Sequence, residues 1–433
     1  MHVTLKSRVA QRSLLVCLVV AFLLATAWIA KTYIANRLAH TLTIHNLRLA
    51  TKLDPGNAEY HIQLGRLYQY SVTNARPQEA IEQFRLAAKL DPYDPQAWLN
   101  LAAALEFEGH TSQAEQYLRH TSALAPKLPV YQWAIGNYFL LHGNTEEAFR
   151  HLKVVLAGSR EYDQTVFNVA WKASGDANQI LQELIPRDLP AEFSYLNYLV
   201  SLQKFADAQT VWKRITGSPE SFDPHQAADY IDALIRAQHP GQAYQVWSDL
   251  EARGAIRKPA GGSVPNLITN GDFEDNLLEM GFGWRIIPVG GVYAGLDTST
   301  FHSPGHSLSV QFSGKQNLDY RQIYQFVKVS PGTAYHLQAF MKTQGITTDS
   351  GPRLEVRDVY NPSALDKFSR DMTGTSEGWN LVTLDFKTGP KTELIIVALA
   401  RLPSEKLYNE IAGRVWLDDV ELTPASASEA VGP

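Results

Sequence analysis

The residues that could perform chemistry do not form a catalytic motif in this sequence. Gly305-His306-Ser307-Leu308-Ser309 begins like the G-x-S-x-G turn of a serine hydrolase, but serine replaces the second glycine. The sequence has no H-E-x-x-H zinc motif, phosphate-binding loop or dinucleotide fingerprint. His302, His306 and His336 could act as ligands or bases, although turn and surface roles suit them better. A glycosidase needs two carboxylates facing across a cleft, which a sequence cannot show. We therefore expect no enzymatic activity.

Composition narrows the class of protein. The 433 residues are enough for two to four domains of roughly 100–200 residues each. Hydrophobic residues make up 45% and charged residues 19%, which excludes a wholly disordered chain. The net charge of −5 argues against a nucleic-acid partner. Cys17 is the single cysteine, so a disulfide framework or a thiolate zinc site is excluded.

The N-terminal sequence predicts a membrane-targeting segment. Residues 13–30 carry no charge, and a helix of this length spans roughly 27 Å, close to the hydrocarbon core of a bilayer. Lys6, Arg8 and Arg12 precede the run, which favours a cytoplasmic segment 1–12 and an exported C-terminal bulk. The alternative is a signal peptide cleaved at Ala25-Thr26-Ala27, which gives a periplasmic or secreted protein.

A motif recurs at spacings of 37 and 34 residues between about residues 44 and 157. Proline, which cannot continue a helix, recurs at positions 55, 92 and 126. Small residues recur in the same register, in the sets Gly65, Ala102 and Gly136, and Ala80, Ala114 and Ala148. Large apolar residues follow four positions after the second set, at Phe84, Leu118 and Leu152. Trp98 lies in the second unit. This pattern resembles the tetratricopeptide repeat, a pair of antiparallel helices of 34 residues. Three extra residues, around 73–76, lengthen the turn of the first full unit.

Weaker copies of the motif extend the predicted α-solenoid over residues 35–253. Ala208 and Ala243 lie 35 residues apart, and Trp212 and Trp247 each follow four residues later. We expect hairpins at about 162–185, 190–216 and 224–253. The resemblance implies a surface that docks a protein or peptide partner, and the alternative is a rigid spacer. Trp133 and Trp171 fit the register less well and are the candidate partner contacts.

The composition changes beyond residue 253. Residues 254–265 are rich in glycine and proline and predict a linker. Alternating segments then predict an all-β sandwich over 266–424, with strands at 324–329, 335–342, 353–359, 379–386, 393–400 and 414–422. Pro331-Gly332 predicts that the first two of these form a hairpin. Residues 425–433 are expected to be a disordered tail. The predicted fold class is multidomain, with a transmembrane helix, an α-solenoid and an antiparallel jelly roll.

The β region resembles the galactose-binding-like jelly rolls, and most closely the carbohydrate-binding modules of bacterial glycoside hydrolases. Residues 266–274 (NLITNGDFE) match the opening strand of these modules, and Trp284 matches their early tryptophan. Residues 305–308, 327–335 and 416–422 match the third-strand loop, the central hairpin and the closing strand. The resemblance implies the fold more strongly than a ligand, because many members bind no sugar.

The resemblance also implies a structural calcium ion. The first and last strands pair in this fold, which would bring Glu274 and Asp272 close to Asp418, with Asp419 as an alternate. Carboxylates gathered at one place repel each other unless a cation lies between them, and hard oxygen ligands suit calcium. The alternative is an edge cluster satisfied by backbone donors.

Aromatic rings among polar side chains are the candidate sugar contacts, since rings stack on the C–H faces of sugars and polar groups bind hydroxyls. The candidates are Tyr320, Tyr360, Tyr324, Tyr293, Trp284 and Trp379, with Arg321, Gln325, Arg353 and Asp358 nearby. Tyr320 and Tyr360 lie in polar, turn-like segments and are preferred, whereas core packing suits Trp284 and Trp379.

Together these features predict a bacterial, non-catalytic protein of the inner membrane, with its C-terminal bulk in the periplasm or elsewhere outside the cytoplasm. Its solenoid would dock a protein, and its sandwich would bind glycan, as an accessory to polysaccharide biosynthesis, export or retention. One alternative is a pure assembly scaffold with a sugar-free sandwich. A second is an accessory to, or a cryptic form of, a glycoside hydrolase.

Overall fold

A computed structural model describes residues 8–71, 75–259 and 265–425. The predictions for residues 1–7, Thr73 and Asn74, the linker residues 260–264 and the tail beyond 425 concern residues outside these ranges. The chain divides into two compact units, of which one ends at Arg187 and the other begins at Asp188. The division falls within the helical region rather than at the predicted linker.

The first unit is built from helices that alternate in direction. They are α1 (Arg8–Ala39), α2 (Ile44–Leu53), α3 (Ala58–Tyr70), α4 (Pro77–Leu90), α5 (Pro95–Phe107), α6 (Thr111–Leu124), α7 (Pro129–Leu141), α8 (Thr145–Gly158), α9 (Asp163–Ser174) and α10 (Ala177–Gln179). A 3-10 turn (Arg160–Tyr162) precedes α9, and a π turn (Ile180–Leu184) follows α10.

The sequence sets the ends of these helices. The side chains of Thr43, Asn57, Asp94 and Asn144 accept hydrogen bonds from backbone N–H groups of the first turns of α2, α3, α5 and α8. Proline begins α4, α5 and α7, where its missing N–H costs nothing.

The small residues of the repeat lie where neighbouring helices approach closely. A Cβ added to Gly65 would lie 2.6 Å from the ring of Phe84, and one added to Gly136 would lie 2.9 Å from Leu152. The register predicts that helices approach closely at these small residues, and the structure shows this, with Phe84 and Leu152 as the neighbours. The buried core continues into α1 through Ala35 and Ala39.

Helix α1 is also the one helix in the described part of the chain that is long and apolar enough to cross a membrane. The apolar segment is Gln11–Ala39, and its most apolar stretch of 18 residues contains no buried residue. This agrees with either an anchor or a signal sequence.

The second unit combines two helical hairpins with a β-sandwich. The helices are α11 (Leu189–Ser201), α12 (Phe205–Thr216), α13 (Ala228–Arg236), which follows a 3-10 turn (Pro224–Ala227), and α14 (Pro240–Ala252). The strands are β1 (Arg285–Ile286), β2 (Val292–Asp297), β3 (Ser307–Ser313), β4 (Tyr320–Lys328), β5 (Ala334–Gln344), β6 (Arg353–Asp358), β7 (Asp366–Phe368), β8 (Asn380–Lys387), β9 (Leu394–Arg401) and β10 (Ala412–Pro424).

The strands form two five-stranded antiparallel sheets. The first sheet has the order β1-β4-β9-β6-β7 and the second has the order β2-β3-β10-β5-β8. Val310, Leu337 and Val415 of the second sheet share one buried core with Ile323, Val356 and Val397 of the first. The sandwich predicted from alternation is therefore confirmed.

Two details of the predicted sandwich are wrong. The turn at Pro331-Gly332 joins strands of different sheets, because β4 pairs with β1 and β9 whereas β5 pairs with β10 and β8. The predicted hairpin is thus a crossing between the sheets. Residues 266–274 form no regular strand and run beside β10, with hydrogen bonds at Leu267 and Gly271.

The described part of the predicted linker is held against the sandwich. Ile256 is buried, and Arg257 forms ion pairs with Asp272 and Asp275.

Candidate functional site

The outer face of the first sheet gathers aromatic and charged side chains in rows. Alternation buries Leu354 and Val356 of β6, so Arg353, Glu355 and Arg357 point outward. The same alternation turns Tyr324 and Phe326 of β4 outward. One row across the sheet consists of residues paired in register: Arg285, Tyr324, Ala398, Glu355 and Phe368.

The central strand places small residues in two rows of this face and Ile396 between Phe326 and Arg357. Ala398 and Ala400 of β9 are small and buried, and they lie between the aromatic residues of β4 and the charged residues of β6. The rings of Tyr324 and Phe326 meet edge to face with centroids 5.4 Å apart. We call the surface formed by Arg321, Tyr324 and Phe326 of β4 and the outward residues of β6 the β4–β6 face.

A buried carboxylate holds the arginines of the β4–β6 face in place. Glu355 has no exposed side-chain surface, and its Oε1 accepts a hydrogen bond of 2.6 Å from Arg321 Nη1 and lies 3.4 Å from Arg357 Nε. Its Oε2 has no hydrogen-bond partner among the described residues. Burial raises the pKa of Glu355, and Arg321 and Arg357 lower it in part. Glu355 therefore positions the arginines, which keep some exposure.

Two further contacts complete this face. Arg353 Nη2 lies 3.0 Å from Asp371 Oδ2, and the guanidinium of Arg321 lies 5.4 Å from the ring centre of Phe368. At the β1 edge, Arg285 pairs with Asp232 of α13 and lies over the ring of Phe326. Planar arginines beside aromatic rings suit a ligand with both apolar C–H faces and hydroxyl or carboxylate groups.

The β4–β6 face brings together three of the predicted sugar contacts, Tyr324, Arg321 and Arg353, while Tyr360 and Asp358 line a separate pocket of about 430 Å³. Sequence reasoning missed Glu355, Arg357, Phe326 and Phe368. The signal was available in β6, where Arg353, Glu355 and Arg357 alternate with apolar residues.

The preferred candidates Tyr320 and Tyr360 are not displayed on this face. Burial of Tyr320 contradicts its predicted role, whereas a role of the half-buried Tyr360 in sugar binding stays a prediction. Tyr320 is buried in the core with its ring 5.6 Å from that of Phe312, and burial raises its pKa. The Tyr360 hydroxyl donates to the backbone carbonyl of Ile235 in α13, at 2.8 Å. Burial, with the charge of Asp358 nearby, raises the pKa of Tyr360 to about 12.

The other sugar candidates lie elsewhere. Trp284 is buried, and its Nε1 donates to the carbonyl of Asn270. Asp358 is buried and accepts hydrogen bonds from the backbone of Tyr360 and Asn361. Tyr293 is 72% exposed on the outer face of the second sheet. Trp379 is half-buried beside His302, at 5.7 Å between ring centres.

The carboxylates predicted to bind calcium do not meet at one point. Asp272 pairs with Arg257, whereas Glu274 and Asp418 contact opposite ends of the loop 302–306. Asp418 accepts backbone hydrogen bonds from His302, Ser303 and Asp419, and Glu274 accepts one from His306. Asp419 instead pairs with the ring of His302.

Backbone N–H groups satisfy both oxygens of Asp418 and one of Glu274, and Asp272 is paired with Arg257, so the residues do not fit one calcium ion in this arrangement. Burial raises the pKa of Asp418 to about 6, against the lowering effect of its backbone donors. Within the described ranges no group of three or more His, Cys, Asp or Glu side chains could hold a metal ion. Calcium stays a prediction of the resemblance, and calorimetry with calcium and then EDTA tests it.

The helices offer a separate surface. A crevice of about 550 Å³ lies between α11 and α13, lined by Asn197, Ser201, Asp229 and Arg236 among others. In the first unit, Trp133 is half-buried with its ring 6.2 Å from that of Tyr162, and Trp171 is half-buried on α9. A role in partner binding for these two tryptophans stays a prediction.

Comparison with known families agrees with the helical geometry. Residues 72–135 match a family model described as tetratricopeptide repeat. This part of the chain consists of tetratricopeptide repeats. A search of curated proteins finds no significant match. The chain therefore joins tetratricopeptide repeats to a C-terminal two-sheet β-sandwich.

Several solved structures are similar to parts of the chain. A tetratricopeptide repeat protein from Parabacteroides merdae is 15% identical, with 53% of this chain and 94% of that chain covered and a TM-score of 0.30. A structure described as "CBM4 structure and function" is 15% identical, with 36% and 99% covered and a TM-score of 0.27. The CBM22-1 xylan-binding domain from Paenibacillus barcinonensis is 13% identical, with 39% and 99% covered and a TM-score of 0.27.

Proposed function

We propose that the chain is a non-catalytic, membrane-anchored protein of the bacterial envelope that binds glycan on the β4–β6 face and docks a protein through its repeats. The observation that carries the proposal is the grouping of Tyr324 and Phe326 with Arg321 and Arg357, which both contact the buried Glu355. Such a face offers rings for the C–H surface of a sugar and planar donors for its oxygens. The role is accessory to the making, export or retention of a polysaccharide.

The proposed anchor is α1, with the C-terminal bulk in the periplasm. The basic residues Arg8 and Arg12 at its start support this orientation. Tetratricopeptide repeats support the protein partner, and the crevice between α11 and α13 offers such a partner polar and apolar lining. No nucleic acid is proposed, since the net charge of the chain is −5.

The glycan proposal predicts that substitution of Tyr324, but not of Tyr293, weakens glycan binding. The full chain in lipid nanodiscs would be assayed against a panel of bacterial and plant polysaccharides. Tyr324→Ala should weaken binding about tenfold, because a lost ring contact costs on the order of 1 kcal/mol or more. Tyr293→Ala is the matched control, since it removes an exposed ring from the other sheet, and it should leave affinity unchanged.

Other outcomes separate the alternatives. If both variants lose affinity equally, the site is not the β4–β6 face. If the folded chain binds no glycan, the sandwich is an assembly module, and the partner of the repeats becomes the object of the search. Turnover of a polysaccharide that is lost on substitution of a carboxylate pair would support the hydrolase alternative.

A further inference from the structure

We propose that the turns joining successive hairpins of the first unit contact the bilayer surface from which α1 emerges. These turns, which we call the near edge, are residues 54–57, 91–94 and 125–128. The occupant is the lipid headgroup boundary around the protein's own helix. The proposal rests on the proposed membrane span of α1.

The geometry of α1 and α2 sets the height of the first turn. The uncharged run of α1 ends at Ala30, and the helix continues to Ala39, about 14 Å further at 1.5 Å per residue. A short turn follows, and α2 packs back against α1 over 10 residues, or about 15 Å. The turn at 54–57 therefore returns to the level of Ala30, where the hydrocarbon core of the bilayer would end.

The following hairpins keep this level. Helices α3 and α5 each have 13 residues and lead away from the bilayer, and α4 and α6 each have 14 residues and lead back. In each hairpin, the helix that leads away and the helix that leads back differ in length by one residue, or about 1.5 Å. The turns at 91–94 and 125–128 therefore lie on the same side of the array as the turn at 54–57.

The near edge displays side chains suited to a membrane boundary. Tyr93 is 84% exposed, Leu128 is 51% exposed and Val130, one residue inside α7, is 57% exposed. Exposed lysines accompany the turns, at Lys52, Lys89 and Lys127. Aromatic and aliphatic side chains together with lysine are typical of protein segments at the headgroup level.

Two of the three acidic residues of these turns have a structural explanation. Asp94 accepts a hydrogen bond from the backbone N–H of Gln96 at the start of α5, and Asp91 accepts one from that of Tyr93. Their carboxylates therefore fix the turn that presents Tyr93.

The opposite edge of the array supplies matched control positions. Tyr70, Phe107 and Leu141 are 67%, 70% and 86% exposed at the far ends of α3, α5 and α7. They lie about 20 Å from the near edge, the length of a 13-residue helix. Nothing in the structure shows what covers them, and the geometry points them away from the bilayer.

Spin-label accessibility in nanodiscs tests the proposal. In a Cys17→Ser background, a nitroxide is attached at Tyr93→Cys or Leu128→Cys, and at Phe107→Cys or Leu141→Cys as controls. The ratio of accessibility to lipid-soluble oxygen over accessibility to a water-soluble nickel chelate is measured. We expect this ratio to be several-fold higher at 93 and 128 than at 107 and 141, and equal ratios at all four sites would overturn the contact.

A label on native Cys17 separates failure of this contact from failure of the anchor. If Cys17 is in lipid while Tyr93→Cys reports water, the contact is wrong and the anchor stands. If Cys17 reports water, or is missing from the mature chain because the segment was cleaved, the anchor is wrong and the contact falls with it.

Discussion

At the scale of single residues, one bulge decides which tyrosine of β4 reaches solvent. The pairing of β4 with β9 shifts register between Tyr320 and Ile323. Strict alternation would place Tyr320 on the same face as Tyr324, since the two residues lie four positions apart along the strand. The extra residue turns Tyr320 into the core instead. A bulge leaves no clear signal in the sequence, and the polar, turn-like segment around Tyr320 favoured the wrong ring.

The pKa of Glu355 gives a prediction about pH. Because burial raises this pKa above its unfolded value, the folded state binds this proton more tightly than the unfolded state does. The stability contributed by the group is present at low pH and is lost as pH rises through the folded pKa. Relative to Glu355→Gln, which cannot titrate, the wild type should therefore gain stability as pH falls from neutral toward 4.5, the ordinary value for glutamate.

Urea unfolding of both proteins in detergent at several pH values measures this difference. Glu377→Gln is a control, because Glu377 is an exposed acid in the loop before β8 and does not act on the pKa of Glu355. A stability difference between wild type and Glu355→Gln that does not vary with pH would contradict the raised pKa.

At the scale of elements, the repeat register predicts the effect of two glycine substitutions. Gly65→Ala should lower the free energy of unfolding by about 1–3 kcal/mol, because the added methyl collides with Phe84 in the core. This holds although alanine is about 1 kcal/mol better than glycine within a helix. Gly241→Ala in α14 meets no atom within 4 Å and should be neutral or stabilising.

Thermal unfolding of the full chain in detergent compares the two variants. Equal melting temperatures would show that the repeat helices tolerate a wider spacing than the 34-residue register implies.

The sequence predicts repeat elements better than it predicts partners of strands. Gly65 and Phe84 belong to a helical hairpin, so a local period places them in contact. Val327 and Tyr335 are also close along the chain, yet β4 and β5 belong to different sheets. The choice between a hairpin and a crossing depends on distant strands, such as β9 and β10, and local alternation does not contain it. For the same reason the contact of Tyr360 with α13 could not be predicted.

At the scale of the whole molecule, the second unit joins two kinds of fold that the sequence analysis had separated. Asp232 of α13 pairs with Arg285 of β1, and both side chains are at most one-quarter exposed. The ring of Phe282 lies 5.9 Å from that of Trp247 in α14. The last hairpin and the sandwich therefore share an interface, and a fragment that begins near residue 262 would expose part of it.

This interface predicts a difference between two aspartates of α13. Asp232→Ala should lower the stability of the second unit by about 1–3 kcal/mol, because it leaves the largely buried Arg285 without its carboxylate. Asp229→Ala, one turn earlier on the exposed side of the helix, should change stability by less than about 0.5 kcal/mol. Scanning calorimetry of the full chain measures both, and similar effects of the two substitutions would contradict a specific role for the ion pair.

Gly281 limits how such a chain can evolve. Its φ is +51°, and a Cβ there would lie 2.8 Å from the indole of Trp247, so no side chain fits while α14 is docked. A sandwich transferred to another protein without its helices is released from this constraint and can acquire a larger residue at 281 and lose Arg285. In related sequences, glycine at this position with arginine four residues later would mark sandwiches inherited together with their helical hairpin.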